Sequence, residues 1–299
     1  MKIPSYIRED LDWWKNNILV AKNSLNRLNK FELEIFTDAS VTGWGAMCGD
    51  NKTHGYWNDV ETQKHINILE LFAALFGLKC FASNKSNCDI ILRIDNTTAI
   101  SYINRMGGMQ CSELSQTAKR LWQWCEERNI LVFASYISSS DNFEADIESR
   151  RLEKETEWEL SDFAFKIILN KFSIPDIDLF ASRHNKKCNL YVSWFRDPNS
   201  MTADAFTISW ETFLFYAFPP FSMILRVLRK IQNSQCRGIL VVPFWPSQPW
   251  FPLFNLLLDS ELITFKPGIN LLSSSDREPH PLHRKLTLVA GILSNRRTN

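Results

Sequence analysis

Four carboxylates in the first half of the 299-residue chain stand where packing gives them little reason to be. They are Asp38 in F-T-D-A-S, Glu70 in I-N-I-L-E-L, Asp95 in L-R-I-D-N and Asp146 in E-A-D-I, each among apolar neighbours. Like charges drawn to about 4 Å repel by roughly 4 kcal/mol per pair at an effective dielectric of ~20, so acids that converge need cations. No His or Cys adjoins the four, and oxygen-only donors favour Mg²⁺, with Mn²⁺ as a substitute. Two such ions ~3.5–4 Å apart activate a water and stabilise the leaving oxygen of a phosphodiester. A single T-D-A-S is an ordinary turn former. The metal reading therefore depends on elements able to bring all four acids together.

Those elements are legible as alternation and period. Phe31 to Asp38 alternates as a strand, Gly43 to Gly49 and His54 to Trp57 supply antiparallel neighbours, and Gly49-Asp50-Asn51 supplies a turn. Asn67 is placed to cap an apolar helix from about Ile68 to Phe81, and Asp89 to Ile94 reads as a short buried strand. Thr97 to Arg105 reads as a helix closed by Gly107-Gly108, Ser112 to Arg128 as a helix, Ile130 to Ile137 as a strand and Asn142 to Arg151 as a helix. The order β-β-β-α-β-α-α-β-α predicts a mixed sheet with flanking helices, an α/β fold. If the first and fourth strands pair in parallel, Asp38 and Asp95 share the carboxyl edge where such folds place their chemistry. Helices crossing that edge would bring Glu70 and Asp146 within reach.

Composition sets the wider frame. The length suggests two domains of ~100–200 residues, and 45% hydrophobic with 22% charged residues is ordinary for a globular chain. The expected organisation is a helical connector at 1–30, an α/β domain at 31–151, a second α/β domain at 152–270 and a linker or tail at 271–299. The start of the sequence lacks the pattern of a secretory leader, and an intracellular location is expected. Two greasy stretches, 213–225 and 238–258, are interrupted by prolines and do not read as membrane spans. Seven scattered cysteines with no C-x-x-C pair read as reduced thiols. The five histidines have no spacing of a joint ligand set and read as surface or loop residues, while Trp194, Trp210, Trp245 and Trp250 read as core. Net charge is +3 over residues 1–30, −6 over 31–150 and +4 over 151–299, so the acidic middle is a poor phosphate binder by itself.

The segments F-T-D-A-S-V-T-G-W-G-A, I-N-I-L-E-L, L-R-I-D-N-T-T-A-I and D-N-F-E-A-D-I-E-S-R together resemble the ribonuclease H domain of retrotransposon polyproteins, in particular the DIRS-like group that transposes with a tyrosine recombinase. The resemblance covers roughly residues 31–151. It implies a five-stranded ribonuclease H-like mixed sheet, with Asp38, Glu70, Asp95 and Asp146 as metal ligands and catalytic residues. Asp38 would bridge both ions, Glu70 and Asp95 would complete the site near the cut phosphate, and Asp146 would hold the ion orienting the water. The implied reaction is hydrolysis of the RNA strand of an RNA–DNA hybrid, leaving a 3′-hydroxyl and a 5′-phosphate. DNA and a reverse-transcriptase polymerase encoded upstream are further implied partners, and the chain looks like a fragment or separated gene. Where the family often carries a His in H-x-P-G-x-x-N, this chain has Tyr136 in Y-I-S-S-S-D-N. A phenol of pKa ~10 cannot shuttle protons near neutrality as imidazole does, which predicts slower turnover. A short G-G-M-Q bridge between helices and the acidic charge predict weak hybrid binding by the isolated domain.

Beyond residue 176, D-I-D-L-F-A-S-R-H-N, A-D-A-F, Y-A-F-P-P-F-S-M-I and V-V-P-F-W-P-S-Q-P-W-F look like the adenine-methyltransferase-like segment that follows ribonuclease H in those elements. The loop that holds a flipped base would be Pro219, Pro220 and Phe221. Its hydrogen-bonding first residue, Asn or Asp in the family, is Phe218 here, and no glycine-rich loop suits S-adenosylmethionine. Three function classes are thus in play: a two-metal nuclease, a catalytically silent nucleic-acid-binding remnant, and a DNA adenine methyltransferase acting through the second domain.

Overall fold

The computed structural model describes residues 5–17, 30–151, 158–273 and 279–295. Residues 1–31 and 32–299 form separate units. In the first, helix α1 (Ser5–Asn17) leaves Leu11, Trp13 and Trp14 exposed, with the two indoles edge to face at 5.6 Å. The rest of the predicted lead-in, 18–29, lies outside the described residues.

In the second unit the predicted element order is observed over the first 120 or so residues. Strands β1 (Leu33–Ala39), β2 (Gly43–Cys48) and β3 (Asn51–Tyr56) precede α2 (Ile66–Phe81), β4 (Asp89–Ile94), α3 (Thr97–Asn104), α4 (Ser112–Glu126), β5 (Leu131–Tyr136) and α5 (Phe143–Ser149). They build a five-stranded mixed sheet, β3-β2-β1-β4-β5, in which β1, β4 and β5 run parallel and β2 runs against its neighbours. Helix α2 is apolar around most of its circumference and correspondingly buried. Gly77 lets it close on β1, since a Cβ there would lie 2.8 Å from Thr37 Cγ2. His65, not Asn67, is its N-cap: His65 Nδ1 accepts the Asn67 N–H at 3.2 Å and the helix begins at Ile66. Asn67 is thereby freed to accept from Asn96 Nδ2 at 2.9 Å, which ties the start of α2 to the end of β4.

Helix α5 lies on the opposite face, over β2. The alternate glycines of G-W-G-A make this approach possible, because a Cβ on Gly45 would fall 2.3 Å from Ala145 O and 2.5 Å from Ser149 N. Trp44 between them points into the core on the α2 face, 1% exposed and edge to face with Phe76 at 5.4 Å.

The second sheet has the order β11-β13-β10-β9-β7-β8. Its elements are β6 (Glu159–Leu160), α6 (Asp162–Lys171), β7 (Ile177–Asp178), β8 (Leu190–Tyr191), β9 (Leu214–Ala217), α7 (Ile224–Gln232), β10 (Arg237–Pro243), α8 (Phe251–Leu257), β11 (Ile263–Phe265), β12 (Leu272–Ser273) and β13 (Leu288–Ser294), with β6 and β12 pairing apart from it. One apolar cluster, around Trp210, Phe215 and Phe254, includes residues of α7 and α8, and another, around Phe165 and Tyr216, includes residues of α6. Reading 271–299 as linker or tail is corrected here. The run L-V-A-G-I-L-S forms β13, central between β10 and β11 and buried along nearly its whole length. An unbroken apolar run is the mark of a strand covered on both faces, and the preceding S-S-S-D-R-E-P-H-P obscured it. The greasy stretches resolve into strands and short helices, and among the described residues no helix is long and apolar enough to cross a membrane.

The loop after β7 and the segment before β9 pack on the first sheet. Arg183 donates to both Glu61 oxygens at 2.8 and 2.6 Å and lies 4.4 Å over the Phe76 ring. His184 Nε2 donates to the Tyr56 carbonyl, Thr53 Oγ1 to the Arg196 carbonyl, and Lys79 Nζ to Asn199 Oδ1 at 2.9 Å. His54, expected at the surface or in a satisfied loop, is instead buried in β3, whereas His184 is a partly buried loop residue satisfied by its bond to the Tyr56 carbonyl.

Gly45→Ala should force α5 off the sheet, because its Cβ meets backbone and not a yielding side chain. A loss of ~1–3 kcal/mol is expected, read as a lower midpoint in urea with unchanged slope. A midpoint equal to that of the parent chain would contradict the close approach.

Candidate metal centre

Parallel pairing of β1 with β4 sets Asp38 and Asp95 side by side at the carboxyl edge, and α2 delivers Glu70 to the same place. One oxygen from each of Asp38, Glu70 and Asp95 lies within 4.8 Å of the others. Asp38 and Glu70 are buried, at 5% and 3% exposure, and Asp95 is half-buried. Ser149 Oγ donates to Asp38 Oδ2 and Ser139 Oγ to Asp95 Oδ2, each at 2.7 Å. Glu70 takes a backbone hydrogen bond from Ala39, yet its buried Oε2 has no hydrogen-bond partner.

Burial and mutual repulsion both act on these groups. Loss of water pushes Asp38 up to about 6, against the Ser149 hydrogen bond, and the Asp95 and Asp146 charges push in the same direction. Glu70 is driven to about 9, first by burial and then by Asp38 and Asp95. A pocket that raises the proton affinity of Asp38 and Glu70 and leaves a buried carboxyl oxygen without a donor is one that a hard cation would complete. The donors are all oxygen, which fits Mg²⁺ or Mn²⁺ and not a thiolate- or imidazole-seeking metal.

Asp146 stands apart from this group. Its Oδ1 is held by Arg150 Nε at 3.0 Å and Nη2 at 2.7 Å, on the partly exposed side of α5. Tyr136 ends β5 and is 58% exposed. In the second sheet, Pro219 is buried, Pro220 caps a short 3₁₀ turn and the Phe221 ring packs edge-on against Trp245 at 5.3 Å and Phe218 at 6.3 Å. Of the four tryptophans read as core, Trp210 and Trp250 are buried while Trp194 is 46% exposed.

No known family profile and no curated protein matches the sequence. Similar solved structures include ribonucleases H. That of ribonuclease H1 from the archaeon Halobacterium salinarum is 17% identical, with 39% of this chain and 92% of that one aligned at a TM-score of 0.33. LC11 ribonuclease H1, solved with an RNA/DNA hybrid, is 17% identical over 39% of this chain and 93% of its own, TM-score 0.34. The foamy viral protease-reverse transcriptase, also solved with an RNA/DNA hybrid, is 10% identical over 44% of this chain and 22% of its own, TM-score 0.30. At this level of likeness the functional reading must come from the chain's own geometry.

Sequence reasoning missed the residues that hold the acids, Ser139, Ser149 and Arg150, and also the buried His54–Glu148 pair nearby. Serines in S-S-S-D and E-S-R give no periodic signal, and only the fold brings Ser149 across the sequence to Asp38.

Asp38 and Glu70 bind their protons more tightly in the folded chain than free carboxyls do. The stability they contribute is complete below about pH 4 and is lost as pH rises through about 6 and then about 9. In chelator the melting temperature should fall by several degrees between about pH 5 and pH 9, and Mg²⁺ or Mn²⁺ should flatten that fall. A melting temperature that climbs across this range, or one indifferent to the cation, would count against the site.

Proposed function

We propose that the first sheet is a divalent-metal-dependent nuclease that hydrolyses the RNA strand of RNA–DNA hybrids. One observation carries the reading: the oxygens of Asp38, Glu70 and Asp95 gather at the carboxyl edge of two parallel strands with one buried oxygen unpartnered. The element order, the mixed sheet and the gathering of three of the four acids support this reading. Asp38, Glu70 and Asp95 would hold one ion, and Asp146 with Asp38 a second. Ions held there would supply the means to activate a water and to stabilise the leaving oxygen of a phosphodiester. Ser149 and Ser139 keep the Asp38 and Asp95 carboxylates aimed, Arg150 restrains Asp146, and burial of Glu70 keeps bulk water from competing for the pocket.

The second sheet we read as an α/β domain of methyltransferase-like descent that braces the nuclease. In an open α/β sheet, ligands bind beyond the carboxyl ends of strands where the connections diverge. Here that point lies between β7 and β9, and the loop after β7 is engaged by Glu61 and Tyr56 of the first sheet. Phe218 at the head of the Pro219-Pro220-Phe221 turn offers no acceptor for a reacting amine, which favours bracing over methyl transfer.

A labelled RNA–DNA hybrid incubated with the full chain and Mg²⁺ should be nicked in the RNA strand, leaving 3′-hydroxyl ends. Asp38→Asn should lower the rate by ~100-fold or more, as expected for losing several kcal/mol of charge stabilisation. Undiminished cutting by that variant would discard the assignment.

A further inference from the structure

Three residues form one register row across the first sheet: Asp38 of β1 stands opposite Gly45 of β2, and Gly45 opposite His54 of β3. Helix α5 crosses the row at the glycine and is fastened on both flanks. On one side Ser149 Oγ donates to Asp38 Oδ2 at 2.7 Å, and on the other His54 Nδ1 donates to Glu148 Oε2 at 2.8 Å. The His54 and Glu148 side chains are only 6% and 7% exposed. Phe195, from the second sheet's docking segment, lies over the His54 ring at 5.1 Å, and Thr53 beside it donates to the Arg196 carbonyl.

We propose that His54 and Glu148 are positioning residues that set Asp146 relative to the Asp38, Glu70 and Asp95 group. The inference rests on the nuclease reading above. Helix α5 has seven residues and no side-chain hydrogen bond at its N-cap, since Asn142 donates instead to the Thr37 carbonyl. Two turns of helix have little stability of their own, so what the helix touches decides where it lies. The Ser149, Ser40 and Asn142 bonds all reach α5 from the β1 flank, and the Lys52–Glu144 pair on the β3 flank is exposed and weak, so without the His54 bond the helix could swing about its β1 side. The buried bond to Glu148, on the opposite flank, removes that rotation, and Asp146 is carried on the same two turns. Imidazole suits the task because it has only two rotatable bonds and places a donor close to its own strand. A buried carboxylate such as Glu148 also requires a partner, and its other oxygen has Arg151 Nη1 at 3.5 Å.

The test uses the full chain and reads both Mn²⁺ affinity by calorimetry and hybrid cleavage. In His54→Ala and Glu148→Ala, Mn²⁺ affinity should fall ~10-fold, as when an outer-shell partner of a ligand is lost. In the same variants kcat should fall ~10- to 100-fold with KM for the hybrid within about threefold, the pattern of a misplaced group. His54→Asn, which keeps a donor near the Nδ1 position, and Glu148→Gln should recover most of both. Should the alanine variants fail to fold, His54→Phe keeps packing against Phe195 without the donor and takes their place. Parental Mn²⁺ affinity and kcat in a folded variant lacking the donor would overturn the proposal. If the parent chain never cuts hybrid while these variants still lose Mn²⁺ affinity, the nuclease reading fails and the positioning role stands.

Discussion

Buried carboxylates repel one another and lose their water, so no relaxed chain gathers them; a rigid frame has to hold them together. Here the frame is the parallel pairing of β1 with β4, which aligns Asp38 and Asp95, and the deeply buried α2, which cannot withdraw Glu70 without leaving the core. Much else nearby follows from that constraint. Serine hydroxyls are spent on the outer acids, Gly77 and Gly45 let helices close on both faces, and Asn67 links the helix bearing Glu70 to the strand bearing Asp95.

The acids and the first sheet could be read from the sequence because strand alternation, turn chemistry and helix period all point the same way over residues 31–151. Three of the four predicted acids meet, and the fourth is restrained by Arg150 a helical turn away, an (i, i+4) pair that gives no hint of its purpose in one dimension. His54 was illegible for a different reason. A lone histidine in K-T-H-G-Y shows neither its burial nor its partner, because Glu148 lies 94 residues on and only the register of three strands brings them together. The strand at 288–294 was lost beneath a polar, proline-containing approach, although its own apolar run was plain.

The second sheet carries the contact that joins it to the first. D-I-D-L-F-A-S-R-H-N begins with β7, and Arg183 and His184 near its end are committed to Glu61 and Tyr56. Arg183 reaches Glu61 with two hydrogen bonds while its guanidinium covers Phe76, which makes the contact both directional and apolar.

That contact bears on the rim of the first sheet. Strand β3 is its outermost member, and an uncovered rim strand offers unpaired amides and carbonyls to any passing chain. The segment from Arg183 to Asn199 sits against β3 and the end of α2 and screens them. A chain trimmed at residue 151 would bare Tyr56, Phe76 and Phe81 together with that rim. Cover for that rim is thus part of what the second sheet contributes.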